Sequence, residues 1–105
     1  MKFTIDEFLS KLPLPVDEKW EDGIWFKEVF ARESFRLEFF APRVKDYQTP
    51  HEQDEFYIIV RGKADLIVEN ERFSCAVGDA LFVPAKAEHH FENFTEDFAA
   101  WVIFF

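Results

Sequence analysis

The sequence predicts a single all-β domain, an antiparallel sandwich or barrel, preceded by one short helix. Short apolar runs rich in aromatic and β-branched residues follow one another along most of the chain, with turn-forming residues between them. No helical pattern between these runs is long enough for the crossover that a parallel sheet needs. The length of 105 residues suits one compact domain and is too short for two of ordinary size.

The helix is predicted over residues 4–12. Thr4 and Glu7 form a capping-box pattern, in which each side chain bonds a free backbone N–H of the first turn. Apolar residues then recur at helical spacing, and Pro13 ends the pattern because it cannot continue a helix. An extended connector rich in proline leads from this helix to the first strand.

The remainder, residues 24–105, is predicted to form the β-barrel. The predicted strands are 24–30, 35–41, 55–60, 64–68, 72–77, 80–83, 89–94 and 98–105. Turn residues separate most of them, such as Gly78 with Asp79, and Pro84. Regular short strands with tight connections are typical of a jelly roll or barrel, so we predict one undivided domain over 1–105.

The composition narrows the classes of partner. The net charge of −9 and the absence of a Lys/Arg cluster disfavour binding to nucleic acid or to an anionic membrane. Fifteen phenylalanines supply more apolar surface than one small core easily hides, so we expect a homodimer. The run that ends the chain is apolar on both faces, which predicts Trp101, Ile103 and Phe105 in the core and Val102 and Phe104 against the partner.

The single cysteine, Cys75, cannot form an intramolecular disulfide, and we expect it to be a small buried apolar residue. The acidic, amphipathic N-terminus differs from a signal peptide, and no apolar run reaches membrane length. These features predict a cytoplasmic protein.

Three polar side chains alternate immediately before an apolar run. His51, Gln53 and Glu55 would share one face if this segment is a strand. The pattern leaves open which face points inward. An interior face of this kind would be costly unless its groups are paired or bind a cation. A divalent metal would remove that cost, because imidazole and carboxylate are suitable ligands.

Another histidine ligand has to come from the pair His89 and His90. Adjacent residues of a strand point to opposite faces, so only one of them can join His51. Strand alternation alone leaves open which of the two it is.

These two segments resemble the paired motifs of the cupin superfamily. In the second motif, four residues hold the family spacing, namely Gly78, Pro84, His89 and Asn93, and Lys86 replaces the middle glycine. In the first, the residues at family spacing are His51, Glu55 and Gly62, whereas Thr49 stands for the first histidine and Arg43 for the leading glycine. The chain is similar to the small single-domain cupins of the conserved-barrel type.

The resemblance implies a β-barrel, usually dimeric, that holds a metal inside. The implied ligands are His51, Glu55 and His89, which leaves His90 at the surface or in a subunit contact. Gln53 would add an amide oxygen or hold a metal-bound water. Iron, manganese, nickel or zinc would be the bound ion. The missing first histidine keeps a second possibility open, since some cupins have lost the metal and act as binding shells.

Two classes of function follow from this resemblance. The first is a metalloenzyme of dioxygenase or isomerase type acting on a small organic molecule, with Glu55 as ligand or general base. The alternative is a non-catalytic small-ligand-binding or sensor protein with a degenerate metal site.

Arg36 and Glu38 share a strand face, where they would form a cross-strand ion pair or orient an anionic ligand.

Overall fold

The structure is a computed structural model that describes every residue from 1 to 105. It consists of one short helix and eight strands in two antiparallel sheets. The elements are α1 (Ile5–Leu9), β1 (Phe26–Arg32), β2 (Phe35–Phe40), β3 (Glu55–Arg61), β4 (Lys63–Val68), β5 (Glu71–Ala76), β6 (Ala80–Val83), β7 (His89–Glu92) and β8 (Ala99–Phe104). Every predicted strand is present, with its ends within two residues of the predicted ones.

The two sheets face each other as in a jelly roll. The larger sheet has the strand order β1-β2-β8-β3-β6, and the smaller has the order β5-β4-β7. Strands that are distant in sequence are therefore neighbours, as the pairing of β3 with β8 illustrates. The predicted all-β jelly-roll class is confirmed.

Helix α1 is shorter than the predicted 4–12, but its cap is the predicted one. The Thr4 hydroxyl accepts the backbone N–H of Glu7 at 3.2 Å. Phe8 is the buried residue of the helix, and its ring packs 6.2 Å from Trp101 and 6.4 Å from Phe39. The helix thereby covers the outer face of β2 and β8. It is neither long nor apolar enough to cross a membrane.

The strand register decides which side chains of β2 point into the molecule. Arg36 and Glu38 pair with Phe104 and Val102 of β8, and Phe104 in turn pairs with Glu55 of β3. Cross-strand partners share one face of a sheet. Because Val102 and Phe104 are each only 1% exposed, this shared face is the interior.

The alternation of β8 is the reverse of the predicted one. Val102 and Phe104 lie in the main core between the sheets, not against a partner chain. Trp101 points to the outer face, where it packs under α1 with Phe39, the ring centroids being 5.0 Å apart. A run that is apolar at every position contains no signal for which face is inside.

The outer face of β3 and β6 has no cover equivalent to α1. Phe56 stacks on Phe105 with ring centroids 5.8 Å apart, and it lies 5.3 Å from Phe82. All three rings are exposed, at 38% for Phe56, 47% for Phe105 and 48% for Phe82. We call these three residues the aromatic patch.

Two glycines form tight turns with positive φ. Gly62 has a φ of 67°, and a Cβ built on it would lie 2.1 Å from the Thr95 hydroxyl oxygen. Gly78 has a φ of 95°, but nothing lies within 4 Å of its Cβ position. Of these two glycines, only Gly62 is therefore required for space as well as for backbone conformation.

Cys75 is a buried free thiol on β5, as predicted. Its sulfur donates to the Ala64 carbonyl oxygen at 3.4 Å, and burial raises the pKa of the thiol to about 11.

Candidate metal centre

Three of the predicted ligands converge inside the sandwich. His51, Glu55 and His89 each offer one ligand atom, and these atoms lie within 4.8 Å of one another. Glu55 begins β3, His89 begins β7, and His51 belongs to the irregular segment before β3. The centre thus lies at one end of the barrel, where strands of both sheets begin.

The Glu55 carboxylate bridges the two imidazoles. Its Oε1 lies 3.2 Å from His51 Nε2, and its Oε2 lies 3.2 Å from His89 Nε2. Both oxygens are buried, and neither has a hydrogen-bond partner. Metal–nitrogen and metal–oxygen distances of about 2.1 Å place neighbouring ligand atoms roughly 3 Å apart. The arrangement therefore fits a divalent cation between the three side chains.

A backbone contact fixes the orientation of the His89 ring. Its Nδ1 lies 2.9 Å from the Ala87 carbonyl oxygen, which can only accept, so Nδ1 carries a proton. In the neutral ring, Nε2 then presents a lone pair to the Glu55 carboxylate. Two electron-rich groups in contact require either a second proton or a cation between them. Such a bond from the other ring nitrogen is typical of metal-binding histidines.

The two histidines differ in pKa. Burial, the largest influence, lowers the pKa of His51, which keeps that ring neutral and able to bind a metal. Burial also lowers the pKa of His89, but the adjacent Glu55 carboxylate outweighs it and the net shift is upward. A proton and a metal ion therefore compete mainly at His89.

The structure adds Gln48, which the sequence analysis did not identify. Its Oε1 lies 3.1 Å from His89 Nε2 and 3.3 Å from His51 Nε2, and it accepts the Tyr57 hydroxyl at 3.0 Å. An amide oxygen is a suitable ligand for a hard divalent cation. Gln48 thus occupies the place of a fourth ligand.

Asp46 orients the Gln48 side chain. This buried carboxylate accepts the Gln48 backbone N–H at 3.0 Å and its side-chain Nε2 at 2.6 Å. It also accepts the backbone N–H of Phe91 at 2.9 Å. With its nitrogen held on Asp46, the amide must direct its oxygen toward the histidines.

The motif spacing contains a signal for Gln48. The cupin motif allows three or four residues between its second histidine and the glutamate. With three, the first histidine falls on Thr49, and with four it falls on Gln48. Only the shorter spacing places the second histidine on His51, so the presence of that histidine favours position 49 over position 48.

Gln53 and Thr49 do not join the cluster. The strand begins only at Glu55, so the expected shared face of His51, Gln53 and Glu55 does not exist. Gln53 Nε2 donates to the Ser34 carbonyl oxygen, and the Thr49 hydroxyl accepts Lys19 Nζ at 2.8 Å.

His90 faces away from the centre, as predicted. Its Nε2 lies 2.7 Å from Glu92 Oε2 on the outer side of β7. The alternation of β7 therefore separates the two adjacent histidines, with His89 inside.

The family model for the Cupin domain (Cupin_2) matches residues 37–105, which include all the residues of this centre. The chain belongs to the cupin family. Among curated proteins, an uncharacterised Streptomyces coelicolor protein is 41% identical over 59 residues, 56% of each chain. An uncharacterised Methanocaldococcus jannaschii protein is 35% identical over 40 residues, 38% of this chain and 32% of its own. The matches thus span about half and about a third of these relatives.

Solved structures have the same cupin fold. A cupin-2 domain protein of Shewanella frigidimarina superposes with a TM-score of 0.69 at 13% identity, over 96% of this chain and 91% of its own. KdgF from Halomonas sp. superposes with a TM-score of 0.66 at 21% identity, over 75% and 74%. At these identities the likeness shows the fold alone.

Lys86, which replaces the middle glycine of the cupin motif, connects the loop before His89 to the segment that carries His51. Its φ is 68°, in the left-handed region that glycine adopts most easily. Its backbone N–H donates to the His51 carbonyl oxygen at 2.7 Å. The loop before His89 thereby holds the irregular segment that carries His51.

A cavity of about 70 Å³ opens beside the centre. His51 and Gln48 form one side of it, and the other lining residues are Lys19, Trp20, Phe26, Glu38 and Phe40. Glu38 does not form the expected ion pair with Arg36, whose guanidinium lies over the Phe104 ring, 4.1 Å from its centroid. The cavity provides space for a small molecule next to the candidate ligands.

Proposed function

We propose that this cupin binds one divalent metal through His51, Glu55 and His89 and acts as a metalloenzyme on a small organic molecule. The observation that carries the proposal is the Glu55 carboxylate. It is 1% exposed, neither of its oxygens has a hydrogen bond, and each lies 3.2 Å from an imidazole nitrogen. An uncompensated buried carboxylate is expensive, and a cation between these ligands would remove the cost.

A bound iron, manganese, nickel or zinc ion would supply a Lewis acid that polarises a substrate oxygen. The chain provides the rest of the site. Glu55 and the two histidines would hold the ion, Gln48 would complete the set, and Tyr57 would keep the amide in place. Three or four protein ligands leave positions open for a substrate, which suits isomerase-type or dioxygenase-type chemistry.

A second candidate is a non-catalytic ligand-binding or sensor cupin, and the position of the Gln48 amide oxygen favours it. Its Oε1 lies within 3.3 Å of both histidine Nε2 atoms. If these nitrogens carry protons, the amide oxygen accepts them and closes the cluster without a metal. The cavity would then hold a ligand that the polar groups only orient.

We also propose that the protein is a cytoplasmic homodimer. The exposed aromatic patch supports a second copy as its partner, because three contacting phenylalanines form an unusual surface for a monomer.

Elemental analysis of the untagged protein tests the function. The native protein and His90→Ala should retain close to one divalent ion per chain, whereas His89→Ala should retain almost none. His90 is the matched control, since it neighbours His89 but faces outward. If the native protein stays empty after incubation with iron, manganese, nickel and zinc, the metalloenzyme proposal is wrong and the binding shell is favoured.

A further inference from the structure

Glu38 is the only carboxylate that lines the cavity beside the candidate centre. Its position on β2 opposite Val102 directs it to the interior face of the larger sheet. His51 and Gln48 lie on the wall of the same cavity. A small molecule in this space would therefore contact Glu38 on one side and the centre on the other.

The Glu38 carboxylate is half-buried in the cavity wall and has no partner. Aromatic residues line the same cavity, namely Trp20, Phe26 and Phe40, and the carboxylate takes part in no hydrogen bond or ion pair. Structural carboxylates in such surroundings are normally paired, because desolvation of an unpaired charge is costly. The arrangement is instead typical of an acid or base that exchanges a proton with a ligand.

The charges around Glu38 agree with such a role. Burial raises the pKa of this carboxyl to about 7; Arg36 opposes the shift, while Glu55 and Glu28 add to it. Lys19 is the remaining charged group on the cavity wall, beside the titratable His51. A general base works best when its pKa lies near the working pH.

We propose that Glu38 is a catalytic residue that takes a proton from, and returns it to, a carbon next to a carbonyl group of a small substrate in the cavity. This inference rests on the proposed function, because the carbonyl oxygen has to face the candidate metal centre. It assigns the site to enolisation, the chemistry of isomerases and tautomerases, in preference to dioxygen chemistry.

The step balances without an oxidant or a reductant. The substrate C–H bond breaks, and the proton forms an O–H bond on a Glu38 carboxylate oxygen. The electron pair of the C–H bond forms the enolate, with its negative charge on the substrate oxygen. When the Glu38 O–H hydrogen exchanges with solvent before the enolate carbon is protonated again, the substrate carries a solvent hydrogen on that carbon, and transfer of the hydrogen to the enolate oxygen instead gives the enol and completes a tautomerisation.

The two interior glutamates have different surroundings, which suit different roles. Glu55 has both oxygens directed at imidazole nitrogens, so it would be occupied as a ligand. Glu38 has no such contact and faces the cavity. Two carboxylates whose environments differ in this way commonly divide the tasks of a site.

The experiment measures hydrogen–deuterium exchange on carbon by proton NMR in D₂O. The probes are pyruvate, hydroxyacetone and acetoin, each offered to protein of measured metal content. Native protein should exchange at least one probe, and Glu38→Gln should do so about 100-fold more slowly, the loss expected for a general base. Glu38→Asp should recover part of the rate, and the metal content of both variants should match that of the native protein.

Glu28→Gln is the matched control, because Glu28 pairs with Glu38 across β1 and β2 but is exposed. It should change the rate at high pH less than twofold. The native rate should rise with pH as Glu38 loses its proton, and Glu28→Gln should move the midpoint of this rise down because a neighbouring negative charge is lost.

The outcomes separate the two proposals. Metal-loaded native protein that exchanges none of the three probes, or Glu38→Gln that exchanges as fast as native, would overturn the role of Glu38 alone. A protein that binds no metal would overturn the proposed function itself.

Discussion

Gln48 shows how much one side chain can determine at this centre. Its amide nitrogen bonds Asp46 and its oxygen contacts both histidines and Tyr57, so its orientation is fixed from both ends. An amide oxygen is a weaker ligand than imidazole for first-row metals such as nickel or zinc. A histidine in the same place should therefore hold the ion more tightly.

We expect Gln48→His to tighten zinc or nickel binding at least about tenfold, because it adds an imidazole where the amide oxygen now faces His51 and His89. Thr49→His is the matched control, since the Thr49 hydroxyl contacts Lys19 outside the cluster. Competition titration with a chromophoric chelator measures both affinities. A larger gain from Thr49→His would mean that position 49, not 48, faces the ion.

The sequence predicted the three converging residues but not the fourth. His51, Glu55 and His89 follow from motif spacing, and strand alternation separated His89 from His90. Gln48 lies in the irregular segment between β2 and β3, where no period of two or 3.6 indicates the direction of a side chain. For the same reason the prediction placed Gln53 on a strand face that the structure does not have.

At the scale of elements, turn chemistry was the most reliable signal. Gly78 adopts positive φ at a predicted turn, and the strands on either side of it begin and end close to the predicted residues. The prediction was wrong for β8, where the inward and outward faces are reversed. The residues of this strand are apolar on both faces. There the inward face is set by pairing with β2 and β3, which are distant in sequence.

Substitutions at the two glycines separate the cost of a side chain at positive φ from the cost of a steric overlap. Gly78→Ala should lower the free energy of unfolding by about 1 kcal/mol, the cost of a side chain at positive φ. Gly62→Ala should cost at least about 2 kcal/mol more, because its Cβ would overlap the Thr95 hydroxyl. Urea denaturation measures both, and equal losses would mean that Thr95 moves aside without cost.

At the scale of the whole molecule, the interior carboxyl Glu38 links stability to pH. Its pKa of about 7 in the folded protein lies above the ordinary value of 4.5 for a glutamate. The contribution of protonated Glu38 to the free energy of unfolding is therefore fully present below pH 4.5 and is lost as the pH rises through about 7. His89, whose pKa is also raised, acts in the same direction.

Metal-free native protein should therefore lose stability between pH 5 and pH 8, and Glu38→Gln should lose less. The difference between the two proteins should reach up to about 3 kcal/mol, since one pKa unit corresponds to about 1.4 kcal/mol. Urea titrations at both pH values test this. Parallel pH profiles would show that Glu38 is solvated like an ordinary surface carboxylate.

The aromatic patch should control the oligomeric state. Phe82→Ser should shift a dimer toward monomer in sedimentation velocity, because it removes one of three contacting exposed rings. Val44→Ser is the control, since Val44 is an exposed apolar residue that does not belong to the patch. A native protein that sediments as a monomer at all concentrations would contradict the proposed homodimer.

The isolated thiol of Cys75 has a practical consequence. It is 4% exposed, and its pKa of about 11 leaves almost no thiolate at neutral pH, so an alkylating reagent should react only when the β4–β5 hairpin opens. Since the chain has no other cysteine, each labelling event reports one opening at a known place. The labelling rate therefore measures how often this hairpin unfolds locally, and mass spectrometry can follow it without any introduced probe.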